Sequence, residues 1–563
     1  MSAADPYRFI ADGRIDVAGV FAAYEDLPAI IRLSGHGAGQ GSGHGAAHCG
    51  SGLEFEPCFT YGDVFHILHA LDSALRRRGV GPGSRVALYA DNGPLHYFLF
   101  FLAWIRGDVF MPLDFQSPPE RVLSPVDAGF GTCSGMQART DDCADPGSRA
   151  FIVQKKDLGS DADPLADAGA SAGPNKGRHR DRDRGRGREA LILLDADDLI
   201  HEVLDIRKKD APGPESIRPA IPPAALDREC SLVFTSGSTG RPLGVFHTVG
   251  NHVYSAAGVI SFFALEPQNR WLVSLPLNHV GGLSIFTRMF LSGGAVVFPK
   301  SRRDVESTLR KHAADCVSVV PTQLIRFISS DQTAKALASM QLVLLGGAAC
   351  PEWAIARALD RGIPVVPSYG STESCSLVTA VAPGSPRAAY CTSGKVLPHR
   401  ALSTDPAGRI RLSGETRFSS CTDGNRRIRP FEDGWFITSD LGSEDENGNW
   451  RIHGRADEVF ISGGENINPF EIEQSICAID GIDTAVVVPA PHESFGVVPW
   501  AFVAGHNLPG PETIAAHLRQ SLPGFMVPKR ILFMEPGEAA KGIKVDRAYL
   551  KKKAVDMAGK AGL

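Results

Sequence analysis

The 563-residue sequence shows no long hydrophobic run, no visible secretory-signal pattern and no paired-cysteine motif. Its longest uninterrupted apolar stretch, Tyr97–Ile105, is far shorter than the roughly 20 residues that a membrane-spanning helix needs. The opening residues, MSAADPYRFIADGRID, contain no basic segment followed by an apolar one, so no secretory signal is expected. The 11 cysteines are scattered without a CxxC pair, which favours free thiols in the cytoplasm over a disulfide framework.

An excess of positive charge is also missing. The sequence has 58 Lys and Arg residues against 63 Asp and Glu residues, a formal net charge of −5. This balance provides no field to attract nucleic acid or an anionic membrane, and neither is a predicted partner. Hydrophobic residues make up 43% of the chain and charged residues 21%, which is typical of a globular protein. A chain of 563 residues is too long for a single hydrophobic core.

Helix and strand patterns alternate over residues 53–123. Apolar residues recur at helical spacing in Asp63–Arg78, Arg85–Tyr89 has the pattern of a short buried strand, and Leu95–Ile105 is apolar nearly all round. Further strand patterns follow at Ser231–Phe234, Arg270–Ser274, Ala295–Phe298, Val317–Val320, Leu342–Leu345 and Val365–Val366. The alternation predicts an α/β fold of parallel-rich sheets with flanking helices.

Two stretches near residues 34–52 and 124–226 interrupt this pattern and are predicted to be flexible insertions. The first contains four residues that could ligate a metal, but a flexible loop is favoured because nothing orders them: His36, His44, His48 and Cys49. The second includes the mixed-charge run Gly177–Glu189, which cannot bury apolar area. RNA binding is the less favoured alternative there, since acidic residues dilute the positive charge and aromatic residues are missing.

A change of composition near Gly454–Arg455 separates a last unit of about one hundred residues, a size that can hold its own core. This unit has a strand pattern at Thr484–Pro489 and a helix pattern at Ile514–Ser521. We therefore predict a large N-terminal domain over residues 1–454 and a small α+β C-terminal domain over residues 455–563.

The most informative stretch is Leu232–Thr248, LVFTSGSTGRPLGVFHT. An apolar strand pattern runs into six hydroxyl and glycine residues, Thr235, Ser236, Gly237, Ser238, Thr239 and Gly240. Glycines allow close approach of a ligand, and successive N–H and hydroxyl groups can donate to phosphate oxygens. The segment is not a Walker loop, because GxxxxGK[ST] is missing. Phosphate binding is favoured over the alternative, a plain Ser/Gly turn.

This stretch resembles the [ST]SGSTGxPKG phosphate loop of the adenylate-forming superfamily, which includes acyl-CoA synthetases, luciferases and peptide-synthetase adenylation domains. The resemblance continues in the family's order through LLGGAAC (Leu344–Cys350), SYGSTE (Ser368–Glu373), GWFITSDLG (Gly434–Gly442), GRADEVFISGGENINPFEIE (Gly454–Glu473) and GIKVDR (Gly542–Arg547). It covers roughly residues 53–123 and 226–550. It implies that the small C-terminal domain is mobile and that the protein uses ATP and Mg²⁺.

The resemblance also implies roles for individual residues. The 235–240 loop would hold the β- and γ-phosphates of ATP, Thr372 would contact the α-phosphate, and Glu373 would hold Mg²⁺. Asp440 and Arg455 would bind the ribose hydroxyls. Tyr369 would stack on adenine, with five small neighbours around the base: Gly346, Gly347, Ala348, Ser368 and Gly370.

Three further roles follow from the C-terminal motifs of the resemblance. Lys544 would be the catalytic cation that bridges the attacking carboxylate and the α-phosphate. Asp457 would be the hinge about which the small domain turns between two half-reactions. Gly463 and Gly464 would lie along the pantetheine of CoA, and a hairpin turn at this glycine pair is compatible with that role.

Within the superfamily, SLPLNHVGGL (274–283), PTQL (321–324) and FISGGENI (460–467) resemble the 2-succinylbenzoate–CoA ligases of menaquinone synthesis. His279 would then act in the pocket for the acid, with His247 and Arg326 as further candidates. An arginine could bind the distal carboxylate of such an acid in a bidentate fork.

Alternatives remain open at this point. The protein could load another aryl or acyl acid onto CoA or a carrier protein, or it could be a nucleotide-binding pseudoenzyme. The last is suggested by Leu243, which replaces the lysine of the phosphate loop. The usual Thr-Gly-Asp is Thr438-Ser439-Asp440 here. The oligomeric state is also open, a homodimer being one alternative.

Overall fold

The computed structural model describes residues 5–33, 55–114, 149–153, 191–195, 199, 221–235, 243–423, 426–534, 540–541 and 544–560. The helices in these ranges are α1 (Val17–Ala23), α2 (Tyr61–Arg77), α3 (Pro94–Arg106), α4 (Val249–Phe263), α5 (Val280–Ser292), α6 (Val305–Arg310), α7 (Pro321–Ile328), α8 (Asp331–Ala338), α9 (Glu352–Asp360), α10 (Pro469–Cys477), α11 (Pro511–Ser521) and α12 (Arg547–Lys560).

The strands in the same ranges are β1 (Ile10–Ala11), β2 (Arg14–Ile15), β3 (Pro28–Leu33), β4 (Phe55–Thr60), β5 (Arg85–Tyr89), β6 (Val109–Pro112), β7 (Arg149–Val153), β8 (Leu191–Asp195), β9 (Ala224–Ala225), β10 (Glu229–Thr235), β11 (Leu243–Thr248), β12 (Arg270–Leu272), β13 (Ala295–Phe298), β14 (Cys316–Val319), β15 (Leu342–Leu345), β16 (Val365–Ser371), β17 (Ser376–Ala380), β18 (Lys395–Val396), β19 (Ala401–Thr404), β20 (Arg409–Ser413), β21 (Ser420–Thr422), β22 (Arg427–Ile428), β23 (Phe431–Glu432), β24 (Trp435–Glu444), β25 (Trp450–Arg455), β26 (Phe460–Ser462), β27 (Glu465–Ile467), β28 (Ile482–His492), β29 (Gly496–Gly505), β30 (Arg530–Phe533), β31 (Ala540–Lys541) and β32 (Lys544–Val545).

Local sequence sets the ends of the helices that flank the first sheet. Helix α2 begins at a capping box, in which the Thr60 hydroxyl accepts from the Asp63 N–H and the Asp63 carboxylate accepts from the Thr60 N–H. Helix α3 has Pro94 in its first turn and ends at Gly107, whose φ of 78° stops the helix in the left-handed region. Its side chains are buried almost all round, as its apolar composition predicts.

The chain divides into two compact units. The first comprises Met1–Val305, Thr372–Ser376 and Glu415–Pro430. Its eight-stranded sheet has the order β22-β21-β11-β10-β6-β5-β7-β8, in which the neighbours from β10 to β8 run parallel and β11 runs antiparallel to β10. Strands β12, β13, β3 and β4 are neighbours in a second sheet, where β13 is parallel to both β12 and β3.

The second unit comprises Glu306–Ser371, Leu377–Gly414 and Phe431–Leu563. Strands β14, β15 and β16 run parallel, followed by β17 and β18. A five-stranded antiparallel sheet contains β19, β20, β24, β23 and β25. Farther along the chain, β28, β29 and β30 form a sheet against which α10 and α11 bury Ile472, Ile476, Ile514 and Leu518.

The predicted α/β class with parallel-rich sheets and a C-terminal α+β region is confirmed. Strands β5, β13 and β15 have the predicted bounds, and α2 and α3 begin and end within two residues of the predicted ones. The domain boundary at 454/455 and the hinge at Asp457 stay predictions. None of the helices in the described ranges is long and apolar enough to cross a membrane.

The prediction that residues 124–226 form one flexible insertion is wrong for three segments, β7, β8 and β9, the last of which pairs with β2. Strand β7 is a parallel neighbour of β5 and β8 is a parallel neighbour of β7, so both extend the first sheet. Each is a run of five residues rich in apolar side chains (RAFIV and LILLD), which a composition dominated by the nearby charged run obscures. The run Gly177–Glu189 and the cluster of His36, His44, His48 and Cys49 lie outside the described residues.

Candidate active site

Three polar side chains from β16, β24 and β25 converge in the second unit. The Tyr369 hydroxyl, near the end of β16, donates to Asp440 Oδ2 at 2.7 Å. Asp440 on β24 lies opposite Arg455 on β25, whose Nη1 donates to Asp440 Oδ1 at 3.1 Å. All three side chains are half-buried. They therefore present a phenol ring, a carboxylate and a guanidinium together, the groups that a purine nucleoside with its ribose hydroxyls can use.

Arg455 also forms a bidentate ion pair with the predicted hinge residue, Asp457. Its Nε and Nη2 donate to the two carboxylate oxygens of Asp457 at 2.9 and 2.8 Å. The hydrogen bond to Asp457 is the largest of the effects that raise the pKa of Arg455, and Asp440 adds to it. Asp457 belongs to a 3₁₀ turn over Ala456–Glu458 that begins where β25 ends. The turn is thus attached to the same guanidinium that contacts Asp440.

Small residues follow β15 and lie in the last part of its parallel neighbour β16. Strand β15 ends at Leu345, whose carbonyl accepts a hydrogen bond from Ser368 Oγ at 2.8 Å. A Cβ on the next residue, Gly346, would approach that same Oγ to 3.0 Å. Gly347 has a φ of 86°, which favours glycine, and Gly347, Ala348 and Gly370 are exposed. The carboxyl ends of parallel strands are where ligands of open α/β sheets bind.

The first unit holds the predicted phosphate contacts. Thr235 ends β10 and pairs with Leu243, the first residue of β11, so residues 236–242 join two antiparallel neighbours. The loop residues Ser236, Gly237, Ser238, Thr239 and Gly240 lie outside the described residues. Leu243, which replaces the lysine of the family's phosphate loop, is half-buried in the strand.

Thr372 and Glu373 lie on a 3₁₀ turn that the first unit holds from three sides. His247 Nε2 donates to the Thr372 carbonyl at 2.7 Å, the Phe418 N–H donates to the Glu373 carbonyl at 2.9 Å, and Ser255 Oγ donates to the Cys375 carbonyl at 2.7 Å. These bonds fix the backbone of the turn, while the side chains of Thr372 and Glu373 stay half-buried.

His247 is fully buried, and burial lowers its pKa to about 4. It is therefore neutral at physiological pH, and its bond to a carbonyl requires the tautomer with the proton on Nε2. Glu373 lies close enough to Cys421 to add to the effect of burial, which raises the pKa of that thiol to about 11. The carboxylate thus lies beside a neutral thiol.

The donor chemistry of this turn fits Mg²⁺. Mg²⁺ is commonly held by one or two carboxylates together with phosphate oxygens and water, not by an all-protein cage. Glu373 supplies one such carboxylate, and within the described ranges no cluster of three or more His, Cys, Asp or Glu residues could hold a metal by itself. A magnesium site here would need the phosphates of ATP to complete it.

The remaining pocket candidates lie in different settings. His279 is exposed at the N-terminus of α5, and its carbonyl accepts from the N–H groups of Gly282 and Leu283. Arg326 is exposed on α7, with its guanidinium 5.0 Å from the centre of the Phe327 ring. Their roles toward the acid stay predictions, as does substrate contact by His247.

The C-terminal candidates lie on two hairpins. Strand β32, which contains Lys544, pairs antiparallel with β31, and Lys544 is opposite Lys541. Gly463 and Gly464 connect β26 and β27 in a two-residue turn in which both φ angles are positive, 57° and 93°. This is the conformation of a type I′ turn, so the hairpin predicted for the glycine pair is present. A Cβ on Gly463 would come within 2.7 Å of the Phe495 ring.

Sequence analysis did not predict the contacts by which two of these residues hold the segments. Nothing local shows that His247 bonds a carbonyl 125 residues away. Arg547, three residues after Lys544, forms ion pairs with Glu473 and Glu458, and only its place in GIKVDR could have drawn attention to it.

Comparisons with known proteins identify the family of this chain. Residues 53–411 match the family model described as AMP-binding enzyme, and residues 471–538 match the AMP-binding enzyme C-terminal domain. The chain is similar to the 2-succinylbenzoate–CoA ligase of Enterococcus faecalis, with 32% identity over 323 residues that cover 55% of this chain and 67% of that protein. It is also similar to the indoleacetate–CoA ligase of Aromatoleum aromaticum, with 29% identity over 503 residues that cover 84% of this chain and 89% of that protein.

Solved structures share the fold. The o-succinylbenzoate CoA synthetase of Bacillus subtilis in complex with the acyl-adenylate intermediate OSB-AMP matches with a TM-score of 0.71 at 21% identity, covering 95% of this chain and 97% of that chain. The ATP-bound MatB from Rhodopseudomonas palustris matches with a TM-score of 0.72 at 20% identity, covering 96% and 99%. The resemblance to adenylate-forming enzymes is thereby confirmed: with the first family model spanning more than half of its length, this chain belongs to the AMP-binding enzyme family.

Proposed function

We propose that the protein is an acid–CoA ligase that converts 2-succinylbenzoate, ATP and CoA into 2-succinylbenzoyl-CoA, AMP and diphosphate in menaquinone biosynthesis. The observation that carries the reaction class is the hydrogen-bonded set of Tyr369, Asp440 and Arg455 in a member of this family. The choice of acid is supported by the relatives that are 2-succinylbenzoate–CoA ligases at 29–32% identity.

In the first half-reaction, a carboxylate oxygen of the acid attacks the α-phosphorus of ATP. A new P–O bond forms, the bond to the β-phosphate oxygen breaks, and diphosphate leaves. Tyr369 stacks on the adenine, while Asp440 accepts from the ribose hydroxyls and Arg455 donates to them. Gly346, Gly347 and Ala348 allow the base to approach the backbone after β15.

Two anions meet in this step, so the site must supply positive charge and oriented donors at the α-phosphate. Lys544 is the cation that bridges the carboxylate and the α-phosphate. Thr372 donates its hydroxyl to the α-phosphate, and the 235–240 loop donates to the β- and γ-phosphates. Glu373 would hold Mg²⁺, which would neutralise part of the charge on the phosphates.

In the second half-reaction, the thiolate of CoA attacks the carbonyl carbon of the acyl-adenylate. The C–S bond forms and the C–O bond to the phosphate breaks, which releases AMP. The small domain, residues 455–563, turns about Asp457 so that Lys544 leaves and Gly463 and Gly464 border the pantetheine. Arg455, which binds both Asp440 and Asp457, is the first residue of this small domain and precedes the hinge residue by two positions.

The proposal is tested with purified protein, ATP, Mg²⁺, CoA and 2-succinylbenzoate. We expect 2-succinylbenzoyl-CoA, identified by mass, with AMP and diphosphate formed in equal amounts. Acid-dependent exchange between ATP and labelled diphosphate tests the first half-reaction alone. A protein that never forms AMP with 2-succinylbenzoate or a broad panel of acids would overturn the proposal.

A ligase for another aryl acid is the second candidate. It is favoured by the indoleacetate–CoA ligase of Aromatoleum aromaticum, whose match covers more of this chain than that of the first relative named above. A panel that includes indole-3-acetate and 2-succinylbenzoate separates the two, since the true substrate should give the highest kcat/KM. A carrier-protein pantetheine offered in place of CoA tests the identity of the thiol.

A further inference from the structure

The guanidinium of Arg547 is held by two carboxylates and a carbonyl. Its Nη1 and Nη2 donate to the two oxygens of Glu473 at 2.6 and 3.1 Å. Nη1 also donates to the Val487 carbonyl at 2.8 Å, and Nε lies 3.2 Å from Glu458 Oε1. The fork of an arginine matches a carboxylate in this bidentate way, which a lysine cannot reproduce.

Glu473 is a fixed acceptor. It lies on α10, is 8% exposed, and accepts the Val487 N–H at 2.7 Å in addition to both donors of Arg547. The ion pairs with Glu473 and Glu458 outweigh burial and raise the pKa of Arg547. A buried carboxylate without its cation would be costly, so the pair holds α10, β28 and the start of α12 together.

Arg547 is close to Lys544 along the chain. Lys544 lies on β32, and α12 begins at Arg547, three residues later. The intervening Asp546 accepts the Tyr549 N–H at 2.9 Å, which fixes the start of the helix. Three residues span at most about 10 Å, so anchoring Arg547 restricts where the backbone of Lys544 can lie.

The same guanidinium reaches the predicted hinge. Glu458 is the last residue of the 3₁₀ turn Ala456–Glu458 and directly follows Asp457. Burial raises the pKa of Glu458, and the charge of Arg547 opposes that rise. Arg547 therefore links the turn that contains Asp457 to the strand that contains Lys544.

We propose that Arg547 is a positioning residue for adenylation: through Glu473 and Glu458 it fixes the strand of Lys544 to the hinge turn, so that the lysine arrives at the α-phosphate in one place. The inference rests on the proposed function, because it uses the role of Lys544 in the first half-reaction. It assigns to Arg547 no contact with substrate.

The test separates the two half-reactions. Lys544 acts only in adenylation, so Arg547→Gln should lower the rate of acid-dependent diphosphate release about 100-fold, the size of effect seen when one transition-state donor is lost. Thioester formation from supplied acyl-adenylate and CoA should change less than about threefold, and the KM for ATP should stay near that of the wild type. A purely structural role would lower both rates together.

Further variants keep the test decisive if Arg547→Gln folds poorly. Arg547→Lys keeps the charge and loses the fork, so its adenylation rate should lie between those of the wild type and Arg547→Gln. Glu473→Gln should repeat the selective loss. Adding Arg547→Gln to Lys544→Ala should cause little further loss, because both act on one group.

Arg530→Gln is the matched control. Arg530 belongs to the β28-β29-β30 sheet and lies over the Trp500 ring at 4.8 Å, without being part of the Arg547 ion pairs. The Arg530→Gln variant should carry out both half-reactions at the rates of the wild type. Equal losses in the two half-reactions of Arg547→Lys, or an unchanged adenylation rate in Arg547→Gln, overturn the inference. Failure of the wild type to adenylate any acid would instead overturn the proposed function.

Discussion

His247 donates from Nε2 to the carbonyl oxygen of Thr372 at 2.7 Å, although the two residues are 125 positions apart in the chain. The histidine is fully buried. Thr372 begins a 3₁₀ turn whose second residue is Glu373, the proposed magnesium ligand. A buried side chain is thus responsible for the backbone geometry of a segment whose side chains we assign to ATP and its metal.

Replacing His247 by Leu should therefore impair adenylation without removing a group that touches ATP. The Thr372 carbonyl would lose its buried donor, which costs about 1–3 kcal/mol, and the turn would shift. We expect lower stability to urea and a higher Mg²⁺ concentration for half-maximal diphosphate release. His247→Gln restores an N–H donor, so it should recover most of the stability to urea and most of the magnesium dependence of the wild type.

The control for this prediction is Tyr97→Phe. Tyr97 is also fully buried in the first unit, and its hydroxyl has no hydrogen-bond partner in the part of the chain that the structure describes. The magnesium dependence of diphosphate release by Tyr97→Phe should equal that of the wild type. If His247→Leu and Tyr97→Phe behave alike, the Thr372 bond has no part in binding.

Tyr369→Phe tests the hydrogen bond between Tyr369 and Asp440. The ring that stacks on adenine is kept, but Asp440 loses the hydroxyl that donates to Oδ2. One hydrogen bond contributes about 0.5–1.5 kcal/mol net, so the KM for ATP should rise about two- to tenfold. The measurement is diphosphate exchange at varied ATP, with the exposed Tyr549→Phe as the control. An unchanged KM would mean that Tyr369 does not orient Asp440 for the ribose.

Asp457→Pro should reduce thioester formation much more than adenylate formation, because proline fixes φ at the predicted hinge. The substitution also removes the carboxylate that binds Arg455. Asp457→Asn is the matched control, since it weakens that ion pair and leaves the backbone free to turn. Separate assays of diphosphate release and thioester formation check the prediction. Equal losses in both assays of the proline variant count against a hinge at this residue.

Much of the fold is predictable because the signals are local. The apolar runs of β5, β13 and β15 depend on neighbouring residues, and each strand appears where the sequence indicates. Strands β7 and β8 are different. Their five-residue signals are surrounded by charged and glycine-rich sequence, and only pairing with β5 and with each other makes them part of a sheet.

The site divides in the same way. The resemblance identifies Tyr369, Asp440 and Arg455, and the structure brings the three together. The partner of Arg547 could not be predicted, because Glu473 lies 74 residues earlier and nothing in its helix distinguishes it from a solvated carboxylate. Contacts between distant elements depend on tertiary packing, which periodicity and motifs do not encode.

Leu243→Lys should strengthen ATP binding. Leu243 begins β11 opposite Thr235, where the family's phosphate loop has a lysine. A cation near the phosphates is worth about 1 kcal/mol at a partly exposed site, so the KM for ATP should fall about fivefold. Leu243→Met, which adds no charge, is the control. A KM that does not fall in the lysine variant would contradict the prediction that a cation at this position strengthens ATP binding.

Acid should destabilise the protein through its buried histidines. Burial lowers the pKa of His247 to about 4 and that of His96 to about 3, whereas an unfolded histidine titrates near pH 6.5. Between these values the unfolded chain binds more protons than the folded one, so the free energy of unfolding falls as the pH drops below about 6.5. At pH 5 each buried histidine should cost about 2 kcal/mol relative to pH 8.

Urea unfolding of the wild type and of His247→Gln at pH 8, 6 and 5 measures how much of the acid-dependent loss of unfolding free energy is due to His247. The variant keeps a donor to the Thr372 carbonyl and loses the titration, so its stability should fall less between pH 8 and pH 5. The exposed His517→Gln serves as the control and should follow the wild type, because this side chain is not buried in the folded protein. Parallel pH curves for His247→Gln and the wild type would mean that His247 gains its proton as easily in the folded protein as in the unfolded chain, against the burial described above.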